Sequence, residues 1–143
     1  MTTAGSTAGR VPASVPAAPS LIDAPDLMPP AGHYSHIAVH RGLAYISGQL
    51  PVTPEGGKLI QEPFAVQAEQ VLRNVDACLA AAGSSRDRLV SVTVYVTDIG
   101  DWPTFDRLYA QWLGAHRPQR AVAGVKELHY GSAVEVHAIA ALD

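Results

Sequence analysis

The stretch Val90-Ser91-Val92-Thr93-Val94-Tyr95-Val96-Thr97 alternates valines with polar or aromatic residues. A period of two sends the four valines to one side of an extended chain and Ser91, Thr93, Tyr95 and Thr97 to the other. Such a strand needs partners for its backbone and a layer to bury its apolar face, so the flanking segments decide the architecture. On the N-terminal side, Phe64, Ala68, Val71, Leu72, Val75, Leu79 and Ala82 recur every three or four residues, with Gln67, Gln70, Arg73, Asn74 and Asp76 in the gaps. That spacing predicts an amphipathic helix over 64–82, with Gly83 where a left-handed cap is expected. Further upstream, His36 to His40 and Leu43 to Ser47 are short β-prone runs separated by Arg41-Gly42, the signature of a hairpin.

On the C-terminal side, Asp101 is placed to cap a second helix from Trp102 to Leu113, with Pro103 in its first turn and Gly114 at its end. Two closing strands follow, Arg120 to Val125 and Ala133 to Ala141. The second sets Val134, Val136, Ala138 and Ala140 opposite Glu135, His137 and Ile139. The order ββαβαββ predicts an α+β fold with one sheet layer and one helix layer. The second sheet face then has no helices to cover it, which points to self-association through that face in a closed ring or dimer.

The 143 residues suffice for one domain. Apolar residues at 48% and charged residues at 16% exclude a wholly disordered chain, and no unbroken apolar run of about 18 residues predicts a spanning helix. Ten Lys and Arg against 13 Asp and Glu leave a net charge of -3, so there is no basic field for nucleic acid. No membrane partner is expected either. A single cysteine, Cys78, fits a reducing, cytoplasmic compartment. Residues 1–30 differ from the rest: twenty of the thirty are Ala, Pro, Ser, Thr or Gly, and Pro12, Pro16 and Pro19 interrupt any signal-like apolar stretch. They read as a disordered tail ahead of a domain over 31–143, against the alternative of a segment that docks through Leu21, Ile22, Leu27 and Met28.

Glu135 sits within a strand of Ala, Val and Ile, where burial would raise its pKa; it reads either as a general base or as a glutamate on the solvated face of an edge strand. Arg120 opens the preceding strand after Pro118-Gln119. It can present its planar fork to a carboxylate or stand as a surface cation. Tyr34 can add a phenol to a pocket, and Ser47-Gly48-Gln49 can add backbone N–H groups. His36 and His40 lie too far apart on a strand to chelate one ion simply, His129 and His137 read as packed or solvated, and Cys78 as a core residue; no metal or cofactor is expected. There is no phosphate loop, nucleotide fingerprint or nucleophile elbow.

Taken in order, Gly32-His33-Tyr34, Ile46-Ser47-Gly48-Gln49-Leu50-Pro51, Asn74-Val75 with Ala81-Ala82-Gly83, Val92 to Asp98, Pro118-Gln119-Arg120 and Val134 to Ala140 resemble the Rid/YjgF family of enamine and imine deaminases. The resemblance runs from about Gly32 to Ala140. It implies a chorismate-mutase-like fold, a single six-stranded sheet with two helices on one face, assembled as a homotrimer with clefts between subunits. It also implies that Arg120 holds a substrate carboxylate, that Glu135 orients or activates water, and that Tyr34 closes the cleft from the next subunit. Gly48 would contribute a backbone contact beside Ser47, read as part of the same pocket segment, while Ala121 and Val122 line the substrate and offer a backbone carbonyl to the water. The implied reaction takes 2-enamino or 2-imino acids to 2-keto acids and ammonia without a cofactor; a non-catalytic ligand-binding module, a ribonuclease and an enzyme for a larger imine are the alternatives. Departures from the pattern are Val122 for a cysteine, Gly100 for an asparagine, Gly124 for a glutamate and a shorter loop before Pro118, which point to a reshaped cleft.

Overall fold

The structure is a computed structural model and describes residues 17–143. Strands β1 (Ser20–Ile22), β2 (Ile37–His40) and β3 (Leu43–Gln49) precede helix α1 (Phe64–Ala81). Strand β4 (Leu89–Val96), helix α2 (Trp102–Leu113), β5 (Gln119–Gly124) and β6 (Val134–Ala141) complete the chain. The six strands form one sheet in the order β1-β2-β3-β6-β4-β5, antiparallel throughout except for the parallel β4–β5 pair.

Each element follows from local chemistry. The β2–β3 turn holds Arg41 at φ 49 and Gly42 at φ 78, the two left-handed positions that match the twist of a two-residue hairpin. Helix α1 ends in a Schellman motif, with Gly83 at φ 73, its N–H on Ala80 O at 3.0 Å and the Ser84 N–H on Leu79 O at 2.9 Å. Val71, Val75, Cys78 and Leu79 of α1 join Phe105 of α2 over Val92, Val94, Val96, Val134 and Val136, all at most 2% exposed. Burial of each Val or Leu side chain contributes roughly 1.5–3 kcal/mol, which makes this helix–sheet layer the main source of stability.

The structure differs from the sequence-based expectations at four points. First, the ββαβαββ pattern supplies five strands, and the sixth is β1, inside the segment read as a tail. Ser20, Leu21 and Ile22 pair with Val39, Ala38 and Ile37, and Ala24 is 3% exposed. The docking alternative therefore describes residues 20–24, while the part of the expected tail over 1–16 lies outside the described residues. Second, Val90 does not join Val92, Val94 and Val96. The β4–β6 register shifts between Leu89 and Ser91, so Leu89 takes the buried position and Val90 is 48% exposed.

Third, Gln67, Gln70 and Asn74 are buried rather than on a solvated helix face, because Gln67 and Asn74 anchor loops and Gln70 donates to Asn74. Gln67 Oε1 accepts from the Ala133 N–H at 2.9 Å, and Asn74 Nδ2 donates to Leu50 O and Val52 O at 3.0 and 2.9 Å. Fourth, Asp101 makes no side-chain cap; Asp98 caps the short turn ahead of α2 by accepting from the Gly100 N–H at 2.8 Å.

Candidate functional site

Glu135 lies in β6, a central strand between β3 and β4, which removes the edge-strand reading. Its register partner is Tyr95, so it stands on the sheet face opposite the helices. There it leans on β3 where the β3–β6 register shifts between Ile46 and Gln49, at Ser47-Gly48. A β-carbon on Gly48 would fall 2.6 Å from Glu135 Oε1, so only glycine leaves room for the carboxylate. Burial pushes the Glu135 pKa above its ordinary value, while nearby His129 and His137 pull it back. His137 is itself held by the Tyr95 hydroxyl, 3.2 Å from Nε2, with the two rings stacked.

Tyr34 is half exposed and borders a cavity of about 200 Å3 together with Gly48, Lys58 and Tyr130. Tyr130 also borders a second cavity, of about 530 Å3, that contains Glu135 and His129. This residue holds φ 65, a left-handed conformation uncommon outside glycine, and the Lys58 Nζ sits 4.4 Å above its ring. Ser47 contributes scaffold as well: its hydroxyl donates to Ser35 O at 2.7 Å and its N–H to His36 O at 2.9 Å. Tyr34, Ser47, Gly48 and Glu135 thus gather around the end of β3.

Arg120 is elsewhere. It pairs in register with Val92, three residues before Tyr95, and therefore points to the helix face of the sheet, opposite to Glu135. Strand β4 separates the two strands that carry them. The Arg120 Nη1 donates to Asp106 Oδ1 at 3.0 Å, and its Cζ lies 4.5 Å from the Trp102 ring and 4.7 Å from that of Tyr109. Val122 shares the Arg120 side at half burial, and Ala121 turns outward on the other. Both belong to β5, an edge strand whose outer backbone groups have no strand partner among the described residues.

One chain therefore brings together Tyr34, Ser47, Gly48 and Glu135 in one group, and Arg120, Ala121 and Val122 in another. It does not bring the two groups together. Sequence reasoning missed Asp106, Trp102 and Tyr109; the signal was their spacing of four and three residues, which places all three on one side of α2. Of the departures, Gly100 supports the Asp98 cap, and a side chain at Gly124 would meet open space.

Among the described residues no group of three His, Cys, Asp or Glu side chains could hold a metal ion. Cys78 is buried in α1 with its pKa pushed up to about 12 by that burial, which leaves no thiolate nucleophile. No helix among the described residues is long and apolar enough to cross a membrane.

A profile of the endoribonuclease L-PSP family matches residues 24–142. Protein HMF1 of Saccharomyces cerevisiae is 40% identical over 111 residues, 78% of this chain and 85% of that protein. A human protein named 2-iminobutanoate/2-iminopropanoate deaminase is 36% identical over 109 residues, 76% of this chain and 80% of its own. The crystal structure of the YjgF gene product from E. coli aligns with a TM-score of 0.81 at 30% identity, covering 87% of this chain and 99% of that one. The chain belongs to this endoribonuclease L-PSP family, the Rid/YjgF family. The family includes enamine and imine deaminases.

Proposed function

We propose that this protein hydrolyses 2-imino acids, formed from 2-enamino acids, to 2-keto acids and ammonia in clefts that a neighbouring copy completes. The observation that carries the reading is the division of the site across the sheet. Arg120 sits beside the free edge of β5, and the Tyr34, Gly48 and Glu135 group sits on the uncovered face near β3. An edge from one copy laid against the open face of the next unites the halves, and three copies close a ring with three such clefts. Leu21, Tyr45, Tyr95 and Ile139 supply apolar area on that open face. The human relative named as a deaminase of 2-iminobutanoate and 2-iminopropanoate supports the same substrate class.

In this cleft the Arg120 fork takes the substrate carboxylate, with each charged hydrogen bond contributing ~1.5–3 kcal/mol. The substrate reacts as its iminium, protonated on nitrogen, and water adds to the iminium carbon. Its oxygen forms the new C–O bond, its proton passes to Glu135, and the C=N π pair moves onto nitrogen. Glu135 returns that proton to the nitrogen and then takes the hydroxyl proton as the C=O forms. Ammonia departs with the C–N pair, and Glu135 gives its proton to ammonia or solvent, which restores the carboxylate. The raised pKa suits a carboxyl that both accepts and returns a proton, a role that contributes roughly 10²–10⁴-fold.

Arg120→Ala and Glu135→Ala are each expected to abolish ammonia release from 2-iminopropionate while the fold and elution volume are kept. Because each cleft draws the two groups from different copies, mixing and reassembling the two dead variants should restore about a quarter of the wild-type rate. Wild-type rates in the single variants, or no recovery on mixing, count against the reading. Calorimetric binding of 2-ketobutyrate without ammonia release would make the protein a ligand-binding module instead.

A further inference from the structure

Arg120 is not a bare cation waiting for an acid. The Asp106 carboxylate already takes one N–H of its fork at 3.0 Å, and the Trp102 and Tyr109 rings cover its faces. A group needed only for negative charge would gain nothing from a resident carboxylate, which cancels part of its field. The Asp106 side chain is nevertheless 51% exposed and the Arg120 side chain 22%, so both reach solvent. They open on one cavity of about 450 Å3, which Arg117, His116 and Tyr109 also border. The buried Tyr109 hydroxyl finds no hydrogen-bond partner among the described residues. The cavity wall thus presents a donor fork and a charged acceptor side by side.

A 2-imino acid in its iminium form presents the complement: a carboxylate oxygen and, on the adjacent carbon, an N–H donor. The 2-keto acid product presents two acceptors, the second of them facing the Asp106 oxygen. We propose that Asp106 is a second catalytic residue of the imine hydrolysis, accepting the iminium N–H while Arg120 holds the carboxylate. The inference rests on the imine-hydrolase reading. The Asp106 charge keeps the nitrogen protonated and the carbon electrophilic as water attacks. It then holds the new amine where Glu135 can return a proton to it. Asp106 itself neither gains nor loses a proton through the cycle. Its repulsion of the keto oxygen favours product release, so the same pair discriminates substrate from product.

The test is Asp106→Asn, which keeps an oxygen for Arg120 and removes the charge. The kcat for ammonia release from 2-iminopropionate is expected to fall by about 10²–10³-fold, as for loss of one preorganised electrostatic contact. An anion beside the iminium raises the iminium pKa, so its removal moves the alkaline limb of kcat to lower pH, by about one unit or more. Arg120, Arg117, His116 and Tyr109 face the same position and remain unchanged in this comparison. Binding of 2-ketobutyrate, which lacks the N–H, is expected to stay the same or tighten. Unchanged kcat with an unchanged limb overturns the proposal. So does a parallel loss of turnover and 2-ketobutyrate binding, which would make Asp106 only a support for Arg120. Wild-type protein that binds 2-ketobutyrate but releases no ammonia overturns the deaminase reading itself, an outcome distinct from an active wild type matched by Asp106→Asn.

Discussion

The Glu135 carboxylate rests on the bare α-carbon of Gly48, where an added β-carbon would stand 2.6 Å from Oε1 and 3.0 Å from Cδ. Gly48 is not among the glycines at positive φ, so it is needed here for close approach and not for backbone freedom. Gly48→Ala must therefore displace the flexible end of Glu135 while β3 keeps its pairing. Its thermal midpoint is expected to stay close to that of the wild type, with ammonia release falling towards that of Glu135→Ala. Wild-type turnover in Gly48→Ala would show that the carboxylate works from another position.

The same burial makes Glu135 a pH-dependent liability for the fold. Its folded pKa lies above the ordinary value of 4.5, mainly through desolvation, with His129 and His137 opposing. The folded state then holds the proton more tightly than the unfolded one. Stability is fully present below the ordinary value and is lost as pH rises through the folded value. Glu135→Gln removes that loss. It is expected to be more stable than wild type at neutral pH, with the difference closing in acid below about pH 4. Urea unfolding across that range checks the sign, and a Glu135→Gln protein less stable than wild type at pH 7 contradicts it.

Much of the fold was legible because its signals are local. The Val92–Val96 alternation, the Arg41-Gly42 turn and the 64–82 periodicity each state a period or a turn type that no distant contact overrides. The misreadings share one physical cause, the use of side chains and backbone against partners far along the chain. Gln67 and Asn74 look like solvated helix residues until Ala133, Leu50 and Val52 are seen against them. Leu21 and Ile22 lie in a Pro-rich, tail-like segment, and only the free edge of β2 gives them a strand to join. Around the candidate site, the strands that carry Arg120 and Glu135 were legible. Their separation across β4 was not, because the sequence places β5 before β6 while the sheet puts β4 between them.

Asn74 couples the core to the site. Its Nδ2 donates to Leu50 O and Val52 O, and its Oδ1 accepts from Gln70 Nε2 at 2.9 Å, at a position 4% exposed. Leu50, Val52 and Asn74 all border the cavity that holds Tyr34 and Gly48. Asn74→Leu would leave the two carbonyls without this donor and Gln70 without its acceptor, at a cost of about 1–3 kcal/mol in chemical denaturation. The loop is expected to shift, so KM for the imine rises more than kcat falls. An Asn74→Leu protein as stable as wild type would mean that water replaces these bonds.

Cys78 offers an internal gauge of whether such variants loosen the helix layer. It is the single cysteine of the chain, fully buried in α1, with its pKa pushed up to about 12 by desolvation. Thiol reagents attack the thiolate, whose share at pH 8 is then roughly one part in 10⁴, against a substantial minority for an exposed cysteine. Native protein is therefore expected to resist an aromatic disulfide reagent at pH 8 and to react with one equivalent once denaturant exposes α1. When reclosing is fast, the slow native rate tracks the open population, so Asn74→Leu should raise it by the factor set by its loss of stability. Rapid stoichiometric labelling of the native wild type would show that α1 opens without global unfolding and that the core around Cys78 is not the most stable part of the fold.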